Sequence, residues 1–84
     1  MENWNDEHFI GEIVMFAGSY EPHCWVECDG RRLMKDDNAA LYSVLGNTYG
    51  GTEDDDFYCL PSLQSETEGV RYIICVEGLY PSRY

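Results

Sequence analysis

The stretch FIGEIVMFAGSYEPHCWVECDGRRLM, residues 9–34, decides the fold because it holds three candidate strands and one strong turn signal. Residues 9–18 are rich in Ile, Val and Phe and end on a glycine, which is typical of a strand. Apolar residues on both faces of this strand predict a central position that is covered on both sides. Residues 24–28 predict a second, short strand. The Asp-Gly pair at 29–30 predicts a type I′ hairpin turn that leads into a return strand at 31–34.

The hydrophobic period changes after this stretch. Apolar residues in DDNAALYSVLG recur at the i, i+1, i+4, i+5 spacing of one helix face, which predicts a helix at about residues 37–46. Asp36 or Asp37 can cap its start, because a short acidic side chain accepts from the first free backbone N–H groups. Gly46 fits the left-handed position after its end.

Two extended segments follow the helix. Residues 57–63 are a brief one, and Pro61 ends this strand or places it at a sheet edge. Residues 70–78, VRYIICVEG, have the strongest strand pattern of the chain. We therefore predict a small α+β fold in which one short helix packs on a mostly antiparallel sheet. The single domain would span residues 9–84, after a flexible acidic segment at residues 1–8.

The chain is strongly acidic, with 16 Asp and Glu against 5 Lys and Arg and a formal net charge of −11. Binding to nucleic acid or to an anionic membrane needs a basic surface, so this charge argues against both partners. No segment approaches about 18 consecutive apolar residues, and the acidic start lacks the basic region of a signal peptide. We therefore expect synthesis in the cytoplasm without a signal peptide, with the four cysteines made as thiols.

Several short motifs occur in a fixed order along the chain. Gly-Glu-Ile, Phe-Ala-Gly, a Trp and Cys-Asp-Gly lie in the opening stretch, NAALYSVLGNTYGG spans residues 38–51, and a Phe-x-x-Leu-Pro-x-Leu motif begins at Phe57. In this order and spacing the sequence resembles the phage tail collar domain family. The residues that the resemblance marks as structural are Gly11, Glu12, Trp25, Cys28, Asp29, Gly30, Tyr49, Gly50, Gly51, Leu60 and Pro61.

The end of the chain, YIICVEGLYPSR at residues 72–83, resembles that of longer relatives named microcystin-dependent proteins. Those relatives carry a long insertion before this strand, where only QSETEG stands here, so the chain resembles a short form. The resemblance implies a non-enzymatic structural protein of a phage-tail-like or fibre-like particle, without a cofactor. It implies a location in a virion, tail particle or extracellular assembly. The expected partners are other tail or fibre proteins and the chain itself, as a homotrimer, a higher assembly or a filament.

The cluster HCWVEC raises the question of a metal site or a disulfide. A structural zinc ion takes four N or S ligands, which makes His23, Cys24 and Cys28 the candidate set. However, Cys24 and Cys28 would share one face of a strand about 13 Å apart, too far for one ion or for a disulfide. Bridges between strands stay open, and the candidates are Cys28, Cys75, Cys24 and Cys59. The preferred interpretation is no metal, with Cys28 and Cys75 as small buried hydrophobic residues.

The sequence contains no recognisable catalytic motif, so we predict that the protein is not an enzyme. No serine lies at a strand–turn–helix elbow, and the Thr-Tyr-Gly-Gly loop lacks the lysine of a phosphate loop. An alternative function is a carbohydrate- or receptor-binding module, because aromatic rings in loops stack on sugars and partner surfaces. The candidate ligand or interface aromatics are Tyr20, Tyr49, Tyr58 and Tyr80.

Overall fold

The computed structural model describes residues 8–81, so the predicted flexible segment lies outside the described residues except for His8. Within that range the chain forms five strands and one helix. In chain order these are β1 (Ile13–Phe16), β2 (Trp25–Glu27), β3 (Arg32–Met34), α1 (Ala39–Leu45), β4 (Phe57–Cys59) and β5 (Arg71–Cys75). The predicted α+β fold is confirmed, with antiparallel strand pairs and one short helix, but the strands form two sheets rather than one. No helix among the described residues is long and apolar enough to cross a membrane.

β5 is the centre of the first sheet, whose strand order is β1–β5–β2 with antiparallel neighbours on both sides. Ile74 is aligned with Ile13 of β1 on one side and with Val26 of β2 on the other. Successive β5 side chains point to opposite faces, and Ile73 and Ile74 are both fully buried. A strand buried on both faces reads as a continuous apolar run, which explains why its sequence predicts it so clearly.

The core has two parts that lie on opposite faces of the first sheet. The larger cluster joins this sheet to α1 and to the second sheet, β3–β4, through Ile74, Leu41 and Tyr58, which are all fully buried. The smaller cluster contains Trp25, Ile73 and Cys75. Burial of an aliphatic or aromatic side chain of this size stabilises the fold by about 1.5–3 kcal/mol.

β1 is an edge strand, so the central position predicted for residues 9–18 is wrong. Within the described part of the chain, its only neighbour in the sheet is β5. Val14 and Phe16 pack against the smaller core cluster, whereas Ile13 and Met15 are 37% and 53% exposed. One apolar face of β1 is therefore buried against the smaller cluster, and the other apolar face is partly exposed to solvent.

The predicted hairpin at Asp29–Gly30 is also wrong. β2 pairs with β5 and β3 pairs with β4, so this turn carries the chain from one sheet to the other. Leu63 N donates to Cys28 O at 2.9 Å, and Gly30 N donates to Pro61 O at 3.3 Å. Only the glycine of the pair has a positive φ, +83°, whereas a type I′ turn needs two. Backbone pairing with the distant Leu-Pro segment thus overrides the local turn signal.

The predicted helix is confirmed and spans Ala39–Leu45. Asn38 takes the N-cap position in place of Asp36 or Asp37, and it makes no side-chain capping bond. Gly46 follows the helix with a positive φ of +63°, but its ψ of −148° lies outside the left-handed helical region that the sequence predicted, in a region that is almost restricted to glycine. The start of this helix therefore depends on tertiary packing rather than on a side-chain cap.

Candidate functional site

Gly11 and Glu12 fasten the start of the domain to the end of β5. Gly11 N donates to Cys75 O at 2.9 Å, and Cys75 N donates to Glu12 O at 2.9 Å. The Glu12 carboxylate accepts from Phe9 N at 3.0 Å and lies 3.1 Å from His8 Nδ1. The Phe9 amide, and then His8, hold the pKa of Glu12 below its ordinary value. This marked pair is therefore a structural clasp between distant parts of the chain.

The Trp-x-x-Cys-Asp-Gly motif supplies core residues and the crossing between the sheets. Trp25 is 3% exposed and meets the His8 ring edge-on, with ring centroids 5.2 Å apart. Cys28 is buried, and burial raises its pKa to about 11, so its thiol is protonated and inert at neutral pH. The exposed Asp29 carboxylate accepts two hydrogen bonds from the Arg31 guanidinium, both at 2.9 Å. These bonds hold the pKa of Asp29 below its ordinary value.

Gly50 and Gly51 let the loop after α1 pass directly over β4. Their φ angles are +149° and +84°. A Cβ atom would lie 2.7 Å from Cys59 Sγ at Gly50 and 2.8 Å from Phe57 O at Gly51. The close approach of this loop to the Cys59 side chain and to the β4 backbone, together with the positive φ angles, therefore accounts for both glycines. Two further marked residues, buried directly after β4, are Leu60 and Pro61.

The structure divides the four candidate tyrosines. Tyr58 is fully buried and its hydroxyl donates to Asn38 O at 3.0 Å, so it is a core residue and not a ligand or interface residue. Burial raises its pKa to about 12. Tyr20, Tyr49 and Tyr80 are each about half exposed or more. They follow β1, α1 and β5 respectively, so the exposed rings come from three separate segments.

The four cysteines are all free thiols. Cys28 and Cys75 lie in the two core clusters on opposite faces of the first sheet. Cys28 N donates to Tyr72 O, three residues before Cys75, so the pair does not meet the geometry of a disulfide. Cys59 lies in β4 of the second sheet, whereas Cys24 Sγ donates to Glu77 Oε2 at 3.3 Å. Cys28 and Cys75 thus occupy the positions of small hydrophobic residues.

Cys24 does not belong to the second strand, which begins at Trp25 rather than at residue 24. Its φ of +73° is the only positive value of a non-glycine residue in the described chain. The two-residue alternation is therefore broken at Cys24. As a result, Cys24 packs against the smaller cluster, whereas Val26 and Cys28 face the larger one. The prediction that Cys24 and Cys28 share one face of the strand is therefore wrong.

Cys24 lies beside two other groups that can bind metals. A ring nitrogen of His23, the sulfur of Cys24 and a carboxylate oxygen of Glu77 lie within 4.8 Å of one another. Two members of the predicted set come together, but Cys28 points into the core and Glu77 takes its place. Burial, and then the hydrogen bond to Glu77, raise the pKa of the Cys24 thiol. The sequence could not reveal Glu77, because only the pairing of β2 with β5 brings residue 77 beside residue 23.

Exposed apolar side chains are a surface feature that the sequence analysis missed. Ile13 and Met15 point to the same face of the first sheet as the larger cluster. They lie on the edge strand β1, outside that cluster, and are partly exposed. Phe9 forms an isolated bridge with Leu79, and both side chains are about half exposed. The only available signal was the apolar run in β1, which cannot reveal burial without the strand order.

Two small antiparallel sheets, one short helix and close backbone turns define a small α+β scaffold protein. The residues that the resemblance marks fasten segments together or fill the core, except for Tyr49, which is about half exposed. A model of the phage tail collar domain family matches residues 11–68, which is 58 of the 84 residues. The chain therefore belongs to the phage tail collar domain family. A search of curated proteins finds no match.

Membership in this family indicates a structural role in a phage tail or its fibres, in association with tail or fibre components. The corresponding location is the virion or tail. The family is a structural one that is not known for enzymatic activity. The matched region ends before β5, so the strand that joins β1 to β2 lies outside it.

Proposed function

We propose that the protein is a non-enzymatic assembly protein of a phage tail or tail fibre that associates with itself through the edge of β1. The observation that carries the proposal is that, among residues 8–81, β1 has a neighbour on one side only and exposes Ile13 and Met15 beside that edge. An unpaired strand edge offers backbone groups to another chain, and apolar side chains beside it add area that association can bury.

The other edge of the same sheet, β2, is closed by its own chain. Trp25 N donates to Pro22 O at 3.0 Å, and Glu27 N donates to the Glu21 carboxylate at 2.7 Å. Among the described residues, no comparable loop or side-chain hydrogen bond covers β1. The first sheet therefore has one covered edge and one open edge, which supports β1 as the contact.

The occupant that we assign to this edge is a second copy of the chain. The homotrimer implied by the family resemblance would bring Ile13 and Met15 of three copies together around one axis. A contact that does not close would instead extend into a filament. The net charge of −11 opposes either assembly, because copies of one sign repel each other. Salt screens this repulsion, so association should strengthen as ionic strength rises.

Sedimentation velocity on the purified chain tests self-association. We expect a species of three times the 9.7 kDa chain mass, or larger, at micromolar concentration, with a larger fraction assembled at higher salt. A single 9.7 kDa species at all salt concentrations would overturn the proposal. Immunogold electron microscopy of tail particles from the native source tests the location, and we expect label on the tail or its fibres.

A second candidate function is glycan or receptor binding. The observation that favours it is the exposure of Tyr20, Tyr49 and Tyr80, whose rings can stack on a sugar face. A glycan array probed with the assembled protein tests it. Glycan binding would be supported by hits that disappear in Tyr20→Ala or Tyr49→Ala and persist in Tyr58→Phe, the control variant, which removes a buried hydroxyl. An array without hits would contradict this function.

A further inference from the structure

The group formed by His23, Cys24 and Glu77 has the dimensions of a metal site. The three donor atoms lie within 4.8 Å of one another. Ligand atoms about 2.0–2.3 Å from a tetrahedral zinc ion are about 3.3–3.8 Å apart. Cys24 Sγ and Glu77 Oε2 are already separated by 3.3 Å. Small side-chain rotations of the exposed His23 and Glu77 would complete the arrangement.

The backbone places the two ligand-bearing segments side by side before any ion binds. Trp25 is aligned with Cys75 across the β2–β5 pair, and Val76 N donates to Cys24 O at 2.8 Å just beyond it. Trp25 N also donates to Pro22 O at 3.0 Å, which closes the turn that holds residues 23 and 24. The site is therefore anchored on both sides by the first sheet.

The positive φ of Cys24 allows two consecutive residues to act on one ion. Neighbouring side chains of a regular strand point to opposite faces, so His23 and Cys24 could not converge in extended backbone. The φ of +73° breaks this alternation and brings both side chains to the same side as Glu77. A left-handed non-glycine residue is strained by about 1–3 kcal/mol, and such strain is concentrated at functional positions.

The donor set favours zinc over the hard divalent cations. Calcium and magnesium take oxygen ligands, whereas thiolate and imidazole suit zinc. Zn²⁺ would displace the thiol proton of Cys24 to solvent as the zinc–sulfur bond forms. The charges of the thiolate and the Glu77 carboxylate then balance those of the ion. In the surrounding field of a chain with a net charge of −11, a cation is attracted to this surface.

We propose that His23, Cys24 and Glu77 bind one Zn²⁺ ion at the end of the β2–β5 pair, with water in the fourth tetrahedral position. The ion would join the loop after β1 to the segment after β5. This site stands apart from the proposed assembly edge on β1 and does not depend on it.

The first test is metal titration of the 84-residue chain, kept reduced and stripped of metal. Co²⁺ serves as the spectroscopic probe, and Zn²⁺ is titrated in competition with a chromophoric chelator. We expect one equivalent of metal, with a cobalt–thiolate charge-transfer band and the visible bands of tetrahedral Co²⁺. Failure to bind one equivalent at micromolar affinity would overturn the proposal.

Variants assign the ligands. Cys24→Ser should abolish the charge-transfer band, and Glu77→Gln and His23→Ala should each weaken Zn²⁺ binding by more than about 10-fold, the smallest loss usual even for outer-shell partners. Cys59→Ser is the matched control, since it removes a half-buried thiol outside the group and should leave band and affinity unchanged. Retention of the band in Cys24→Ser, or its loss in Cys59→Ser, would overturn the assignment.

Thermal unfolding gives a second readout that does not depend on the cysteine variant folding well. An ion that binds only the folded chain raises Tm. Zn²⁺ should raise the Tm of the wild-type chain but not that of Glu77→Gln, whose substituted side chain is exposed. An equal rise in both proteins would place the ion elsewhere and contradict the proposal.

Discussion

The two sheets differ in what lies against their strands. The second sheet lies against α1 and under a loop whose glycines, Gly50 and Gly51, touch β4 directly. The first sheet has an edge at β1 that no other described strand pairs with and, at the end of β5, the group containing Cys24 and Glu77. Residues that fix the scaffold occur on both sheets, since the clasp of Gly11 and Glu12 holds the first one, whereas the proposed assembly edge and the Cys24–Glu77 group both lie on the first sheet.

One pair of aligned isoleucines, Ile13 and Ile74, shows the difference between the edge strand and the central strand of the first sheet. Ile74 is fully buried in the larger cluster, whereas its β1 partner Ile13 is 37% exposed. Ile74→Ala should lower the free energy of unfolding by about 2–5 kcal/mol, because it leaves a cavity. Ile13→Ala should lower it by less than about 0.5 kcal/mol. Urea denaturation under conditions where the chain is monomeric measures both; similar losses would mean that β1 is covered as fully as β5.

Two glycines with the same φ test how tightly the loop after α1 packs. Gly51 and Gly69 have φ of +84° and +82°, but a Cβ at Gly69 would meet nothing within 4 Å. Gly69→Ala should lower the free energy of unfolding by about 1–2 kcal/mol, which is the strain of an alanine in the left-handed conformation. Gly51→Ala should cost about 3 kcal/mol or more, because the new methyl also collides with Phe57 O. Equal losses in urea denaturation would show that the loop can move away from β4.

Alkaline pH should weaken the core through Cys28. Its folded pKa of about 11 lies above that of an exposed thiol, near 8.5–9, so the unfolded chain loses this proton first. The stabilisation is complete below about pH 8.5 and is lost as pH rises toward 11, with a slope of at most about 1.4 kcal/mol per pH unit. Cys28→Ala should flatten this part of a stability–pH curve by about 1–3 kcal/mol. An unchanged slope would show that Cys28 ionises readily in the folded chain.

The smallest effect concerns the clasp at Glu12. Its pKa is lowered in the folded state, so its stabilisation is present above the unfolded value of about 4.3 and is lost as pH falls through the folded value. The carboxylate is partly exposed, so Glu12→Gln should lower stability at pH 7 by less than about 1 kcal/mol. The variant should also lose part of the decline in stability below pH 4.5. A steeper acid decline in the variant would contradict this role.

The same comparison explains which parts of the fold the sequence could predict. The helix period at residues 37–46 and the apolar run at 70–78 are local patterns, and both produced the predicted element. The glycine after the helix was predictable for the same reason, since the positive φ of Gly46 is required by the local backbone at the end of the helix. These elements can be recognised in the sequence because their hydrophobic patterns repeat within a few residues.

Apart from the helix cap at Asn38, the missed features depend on distant residues. The Asp29–Gly30 turn was misread because Pro61, which accepts from Gly30 N, and Leu63, which donates to Cys28 O just before the turn, lie more than 30 residues away. Glu77 joins Cys24 only through the pairing of β2 with β5. The exposure of β1 follows from the strand order, which local patterns do not contain. The candidate functional surface was therefore harder to predict than the scaffold.

The central claim, self-association through the β1 edge, is tested most directly by sedimentation velocity on two methionine variants. Met15 on β1 is 53% exposed and Met34 on β3 is 44% exposed, and changing either to lysine alters the net charge equally. Lysine on a strand edge opposes pairing with another chain. We expect Met15→Lys to shift the chain to monomer at concentrations where the wild type and Met34→Lys remain assembled. Assembly of Met15→Lys at wild-type strength, or equal disruption by both variants, would contradict the account.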